Sequence, residues 1–154
     1  MLFLVAIGCN FKCKDNKFVI ETDENYPLNY HELAGKWILM YPQNYGYEFV
    51  FFDDYGAKIT LYLNTAKIKF KGKFLLEDSR RIRIFISEMM QKDEITEHGE
   101  KHGFMSVKNS YFLFDGRIIK DSKPKILVLN PITIIAEGRN SEGFFEPQIK
   151  LRKQ

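Results

Sequence analysis

Cysteine, histidine and long apolar runs are scarce in this sequence of 154 residues, and each shortage excludes a class of protein. Both cysteines, Cys9 and Cys13, lie near the start, so neither a disulfide framework nor a cysteine-rich metal site can hold the rest of the chain together. With three histidines, no Ser-His-Asp or Cys-His set can be assembled, so we expect neither enzymatic activity nor a cofactor. No apolar run reaches the roughly 20 residues that a membrane-spanning helix needs. The net charge of +3 is too small to make nucleic acid the expected partner.

Aromatic residues are abundant, with 14 Phe and 8 Tyr, and apolar residues alternate with polar ones in many short segments. Alternation with a period of two is typical of β-strands that have one buried face. The triplets that we expect to share such faces are Trp37, Leu39 and Tyr41; Tyr47, Phe49 and Phe51; and Ile82, Ile84 and Ile86. Turn signals separate these strands, and no window of helical length has a helical apolar spacing. We therefore predict an all-β fold of about 8 to 10 strands, an up-and-down antiparallel barrel or else a sandwich, after a short helical turn near Asn29 to Leu33.

The first nine residues form an uncharged apolar run that ends at Gly8 and Cys9. This run resembles the end of a bacterial lipoprotein signal peptide, in which a small residue precedes the cysteine that becomes acylated. The resemblance implies a signal peptide at 1–8, a lipid on Cys9, a polar tether at 9–32 and a single barrel domain at 33–154, held at a membrane in the bacterial cell envelope. Ala6 stands where that signal usually has leucine, and no basic residue precedes the run. The alternative is a buried N-terminal strand of a cytosolic protein.

The segment Leu33-Ala34-Gly35-Lys36-Trp37 is similar to the Gly-x-Trp signature of the lipocalins and the wider calycin superfamily. The resemblance implies that this motif opens the first strand of an up-and-down barrel, that Gly35 turns the chain and that Trp37 closes one end. Calycin barrels often cover this indole with a cation from the last strand, and Arg152 is the residue expected in that place. The resemblance covers residues 33–152 in strand order but only these few residues specifically.

A basic segment from Ala66 to Ile86 holds seven Lys or Arg residues and two acids. We expect a tight turn near Asp78 to bring its arginines beside Lys73. The resulting anion-binding face comprises Lys67, Lys69, Lys71, Lys73, Arg81 and Arg83. Its candidate ligands are phospholipid headgroups, lipopolysaccharide and sulfated glycans. The alternative is a solvated outer wall that discourages edge-to-edge pairing.

The predicted inward-facing aromatic residues have two interpretations. Either they line a cavity for a small apolar ligand, or they fill a narrow barrel completely. These residues are Tyr47, Phe49, Phe51, Phe70, Phe74 and Phe112. A different motif, His98 to His102, has the spacing of zinc ligands on a helix, but Gly99 and Gly103 favour a polar loop, so we expect no metal site.

Two functions follow from these features. The first is a non-enzymatic envelope lipoprotein whose lipocalin-like barrel binds a small apolar ligand or an anionic envelope or host component. The second is a surface protein-interaction module, of the adhesin or inhibitor type, on the same fold with a filled barrel. In both cases the membrane is a partner through the N-terminal lipid anchor.

Overall fold

The computed structural model describes residues 27–93 and 103–154. The predictions made for Cys9, for the signal peptide and tether up to residue 26, and for His98 to His102 lie outside these two ranges.

Within the described ranges the chain forms one short helix, two 3-10 turns and ten β-strands. The helix α1 spans Tyr30–Leu33, and the 3-10 turns span Pro42–Asn44 and Glu142–Phe144. The strands are β1 (Gly35–Tyr41), β2 (Tyr45–Phe51), β3 (Gly56–Leu63), β4 (Ala66–Leu76), β5 (Arg81–Asp93), β6 (Met105–Ser106), β7 (Tyr111–Ile119), β8 (Ile126–Ala136), β9 (Arg139–Asn140) and β10 (Ile149–Lys153).

Eight of these strands close into an antiparallel up-and-down barrel, which confirms the predicted fold class. The sheet runs β10-β1-β2-β3-β4-β5-β7-β8, and β8 pairs with β10 to close the ring. The two short strands, β6 and β9, attach to β5 and β8. We call the end that holds α1 and the turns at 52–55 and 77–80 the lower end, and the end that holds the turn at 64–65 the upper end.

The helical turn forms where the sequence predicts it, because a side chain caps it. The Asn29 side-chain oxygen accepts a hydrogen bond from the Glu32 backbone N–H at 2.9 Å. A residue that precedes α1 also packs into the barrel. Leu28 belongs to the hydrophobic core, and its backbone N–H donates to the Ser79 carbonyl at 2.7 Å.

The predicted alternation places the aromatic and aliphatic residues of the barrel strands inside. Ile82, Ile84 and Ile86 of β5 are buried, as expected. Beyond them the pairing of β4 with β5 shifts at Lys71 and Gly72, so that Met89 takes the next inward place instead of an even-numbered residue. Gly72 is required at this bulge, since a Cβ atom there would lie 1.8 Å from the Phe85 carbonyl oxygen. A bulge of this kind changes which face each later side chain occupies.

Candidate functional site

The Gly-x-Trp motif closes the lower end of the barrel. Trp37 is fully buried, and its indole N–H donates to the Leu33 carbonyl of α1 at 2.7 Å. Gly35 begins β1 with a φ of +118°, a conformation that side-chain-bearing residues rarely adopt. The backbone therefore turns from α1 into β1 at Gly35 and carries the indole into the core two residues later.

Lys153, and not Arg152, supplies the cation at this indole. The Lys153 amine lies 5.0 Å from the centre of the Trp37 ring and donates to the Glu32 carbonyl at 3.0 Å. Arg152 pairs with Ile38 and is exposed, because it alternates with the buried Leu151. The prediction for Arg152 was therefore wrong by one residue: β10 extends to Lys153, and one step along a strand reverses the face.

Charged groups around α1 shift in pKa because of their neighbours. The Glu32 carboxylate accepts hydrogen bonds from the Lys120 amine and the Asn29 amide, each at 2.7 Å. The bond from Lys120 is the largest cause of a lowered pKa at Glu32, against an opposing effect of burial. Burial lowers the pKa of Lys153, and the nearby Lys125 adds to that effect. These contacts hold α1 against the lower end.

The rings predicted to line a cavity pack against one another inside the barrel. The centres of Phe51 and Phe74 lie 5.0 Å apart, and those of Phe70 and Phe112 lie 5.1 Å apart, both in edge-to-face arrangements. Phe49 stacks on Phe51 at 6.2 Å. All five of these phenylalanines are buried, and Tyr47 is partly buried at the upper end.

Phe145, which the sequence analysis missed, completes this aromatic core. It is only 7% exposed and follows the 3-10 turn at the upper end. Its ring centre lies 5.2 Å from Phe114, 5.4 Å from Phe112 and 5.9 Å from Tyr47. No alternation marks this residue, and the only signal for it is the pair Phe144-Phe145 beside a turn sequence, where a solvated loop would be polar.

Hydrogen bonds hold this segment, residues 141–148, in the upper end of the barrel; we call it the plug segment. The Tyr41 hydroxyl donates to the Glu146 carboxylate at 2.8 Å, a bond that raises the pKa of Tyr41. The Glu146 backbone N–H donates to the Tyr47 hydroxyl at 3.2 Å, and Gln148 donates to the Asn130 side chain at 3.1 Å. The plug segment is thus tied to β1, β2 and β8.

The lysines of β4 lie on the outer wall of the barrel, as the alternation predicts. Lys67, Lys69, Lys71 and Lys73 alternate with inward-facing residues, and Lys58 of β3 pairs directly with Lys71. Two like charges that face each other are unfavourable in a sheet. The amines of Lys58 and Lys71, however, each lie near an aromatic ring. The Lys58 amine lies 5.2 Å from the Phe52 ring centre, and the Lys71 amine lies 3.5 Å from that of Phe104.

A groove lies beside these amines. Its volume is about 350 Å³, and its lining includes Phe52, Lys58, Lys71 and Lys73, with Gly56 and Gly72 contributing no side chains. We call it the basic groove. A second groove of about 310 Å³ shares Lys58 and Lys71 and adds Lys69 and Phe104. The sequence analysis missed Lys58, because its position opposite Lys71 depends on the pairing register.

Neither arginine of the predicted anion-binding face lies directly opposite Lys73, so the register predicted for them was wrong. Phe85, and neither arginine, pairs with Lys73, because β4 continues to Leu76 before the chain turns. Arg83 pairs with Leu75, forms an ion pair with Glu77, and lies 4.8 Å from the Tyr111 ring centre. Arg81 lies 3.8 Å from the Asp78 carboxylate.

Residues 27–93 and 103–154 contain neither a metal-ligand cluster nor a membrane-spanning helix. No group of three or more His, Cys, Asp or Glu side chains in these ranges is placed to hold a metal ion. No helix in the described part of the chain is long and apolar enough to cross a membrane. Comparisons of this chain with protein-family models, with curated proteins and with solved structures gave no match.

Proposed function

We propose that this protein is a non-enzymatic binding module of the bacterial envelope, a calycin-like barrel that is lipid-anchored at Cys9 and binds its partners through its outer surface. The observation that carries the proposal is the position of Phe145, whose ring contacts Phe112 and Phe114 inside the barrel. The chain itself occupies the place in which a carrier would hold an apolar ligand. This supports the protein-interaction module over the ligand carrier.

The free energy needed to displace Phe145 from the barrel also favours the protein-interaction module over the ligand carrier. An internal ligand has to expel Phe145, and exposing a buried phenylalanine costs about 1.5–3 kcal/mol. It also has to break the bonds of the plug segment, from Tyr41 to Glu146 and from Glu146 to Tyr47, each worth about 0.5–1.5 kcal/mol. Binding of a partner to the outer surface requires neither of these changes.

The upper rim is the surface best suited to a partner protein. It carries four exposed large side chains, Met40, Tyr41, Tyr45 and Leu63. Tyrosine and methionine are enriched in protein interfaces. Leu28, near the start of the described chain, bonds to Ser79 at the lower end. The described chain therefore starts at the lower end, opposite the upper rim.

The anchor is tested by metabolic labelling of the bacterium with a palmitate analogue. We expect label on the wild-type chain and on Cys13→Ser, and none on Cys9→Ser. An unlabelled wild-type chain, or label retained by Cys9→Ser, would remove the lipid anchor from the proposal.

Binding inside the barrel is tested by titrating the protein with an apolar fluorescent probe. Energy transfer from Trp37 to the probe measures the binding. We expect no saturable binding to the wild-type barrel, and binding to Phe145→Ala, in which a cavity replaces the ring. Saturable binding to the wild type with one site per chain would contradict the proposal and favour the ligand carrier.

The rim is tested by photo-crosslinking in intact cells from a reactive residue placed at Tyr45. We expect a discrete crosslinked protein that disappears when Leu63→Ser is added and persists with Ile132→Ser, an exposed apolar residue of β8. Equal crosslinking in both backgrounds would show that the rim is not the binding surface.

A further inference from the structure

The lower half of the β3–β4–β5 outer wall combines exposed apolar side chains with amines. Phe52 is 38% exposed, Leu75 45% and Phe85 49%. Lys73 pairs with Phe85 on one side and with Gly56 on the other, and Phe52 bonds through its backbone N–H to the Gly56 carbonyl at 2.9 Å. We call this surface the lower wall; it comprises Phe52, Lys58, Lys71, Lys73, Leu75 and Phe85.

The lower wall has an excess of positive charge. Lys71 lies 3.5 Å from the Glu88 carboxylate, but neither Lys58 nor Lys73 forms an ion pair with any carboxylate in residues 27–93 and 103–154. The only acid that lines the basic groove is Asp54, whose carboxylate accepts a hydrogen bond from the Gly56 backbone N–H at 2.9 Å. The groove therefore holds two amines without an ion pair in the described part of the chain, those of Lys58 and Lys73, beside one carboxylate that already accepts a backbone hydrogen bond, which favours an anion.

The apolar side chains decide what kind of anion fits. A free phosphate or a sulfated glycan would pair with Lys58 and Lys73 but would leave Leu75 and Phe85 in water. An anionic lipid surface satisfies both sets, because its phosphates meet the amines and its acyl boundary accepts the apolar groups. The wall also lies at the end where Leu28 bonds to Ser79 in the turn between β4 and β5.

We propose that the lower wall docks on an anionic lipid bilayer. One lipid phosphate lies in the basic groove among Lys58, Lys71 and Lys73, while Phe52, Leu75 and Phe85 enter the boundary between headgroups and acyl chains. This contact does not require a lipid on Cys9. It orients the barrel against the bilayer, whereas a lipid anchor alone would only keep it nearby.

The test is co-sedimentation of the full chain carrying Cys9→Ser, which removes the anchor, with vesicles of phosphatidylcholine alone or mixed with phosphatidylglycerol. We expect binding to the mixed vesicles, weakened by added salt, and little binding to phosphatidylcholine alone. Each of Lys58→Gln and Lys73→Gln should weaken binding about fivefold. The pair Leu75→Ser and Phe85→Ser should also release the protein, with less dependence on salt.

Matched controls lie on other parts of the barrel. Lys150→Gln removes an exposed amine of β10, and Ile132→Ser removes an exposed apolar residue of β8; neither should change vesicle binding. Thermal unfolding of each variant verifies that it is folded.

Three results would overturn the proposal. The first is an absence of binding to phosphatidylglycerol vesicles. The second is binding that the control variants weaken as much as the lower-wall variants do. The third is lysine-dependent binding of heparin without vesicle binding, which would identify the face as a glycan site. None of these results bears on palmitate labelling, probe binding or crosslinking from the rim, so the two proposals fail independently.

Discussion

Trp37 and Lys153 show how single residues close the lower end of the barrel. The indole donates to α1 through the Leu33 carbonyl, and the Lys153 amine lies between the ring and the Glu32 carbonyl. Helix, first strand and last strand thus meet at one buried ring. Removing a contact there should affect the stability of the whole barrel.

At the scale of single residues we predict that Lys153 and Arg152, which are adjacent in sequence, contribute differently to the free energy of unfolding. Lys153→Ala should lower the free energy of unfolding by about 1–2 kcal/mol, because it removes a cation–π contact and a hydrogen bond. Arg152→Ala, on the outer face of the same strand, should change it by less than about 0.5 kcal/mol. Urea unfolding followed by Trp37 fluorescence measures both. A larger loss in Arg152→Ala would contradict the assignment.

We predict that the Glu32 carboxylate makes the stability of the barrel depend on pH. Its pKa is lowered in the folded state, chiefly by the hydrogen bond from Lys120. Its stabilising effect is therefore fully present above the unfolded pKa, near 4.5, and is lost as the pH falls through the folded pKa. In urea unfolding, Glu32→Gln should be less stable than wild type at pH 6.5, and the difference should shrink towards pH 3. Lys120→Gln should show the same trend, and a difference independent of pH would contradict it.

The plug segment and the turn into β1 are the elements whose conformations depend on particular residues. The 3-10 turn at Glu142–Phe144 places the next side chain, Phe145, inside the barrel. Gly35 lets α1 and β1 meet at a sharp angle. In each case one residue determines the path of a longer stretch of chain.

Phe145→Ala should cost about 3–5 kcal/mol of unfolding free energy, as removal of a buried phenylalanine usually does. Phe144→Ala, at a partly buried neighbouring position, should cost clearly less. Chemical denaturation of both variants measures the difference. Equal and small losses would show that the plug segment is not part of the core.

Gly35→Ala should destabilise the barrel by about 1–3 kcal/mol, because alanine is strained at a φ of +118° and its Cβ would lie 3.3 Å from the Lys153 side chain. Gly143→Ala is the matched control, since no atom lies within 4 Å of a Cβ built there. Thermal unfolding of the two variants provides the comparison. A smaller loss at Gly35 than at Gly143 would contradict the role of the turn.

On the scale of the whole molecule, closure brings together strands from the two ends of the domain. The last strand, β10, pairs with β1 on one side and with β8 on the other. Without it, both neighbours would present unpaired backbone groups, and exposed strand edges promote association between chains.

We therefore predict that a chain truncated after Gln148 aggregates, whereas a chain lacking only Gln154 stays monomeric or keeps the oligomeric state of the full chain. Size-exclusion chromatography of the two products tests this. A truncated chain that elutes like the full chain, with native β-sheet circular dichroism, would show that the barrel is stable without its last strand.

Much of this architecture could be predicted from the sequence, because it follows from local periodicity. Alternation identified the inward phenylalanines and isoleucines and the outward lysines of β4, and the helical turn was expected near Asn29 to Leu33. The positions of Arg81 and Arg83 could not be predicted, because they depend on where β4 ends and on the pairing of Lys73 with Phe85.

The sequence by itself determined that this chain is built of antiparallel strands with aromatic residues on one face and lysines on the other, since two-residue periodicity is a property of the extended backbone. Only the tertiary structure decided that Lys153 meets Trp37, that Lys58 faces Lys71 and that Phe145 fills the upper end. The physical reason is the pairing register. A shift of one residue moves a side chain to the opposite face, and the register is set by contacts between distant segments.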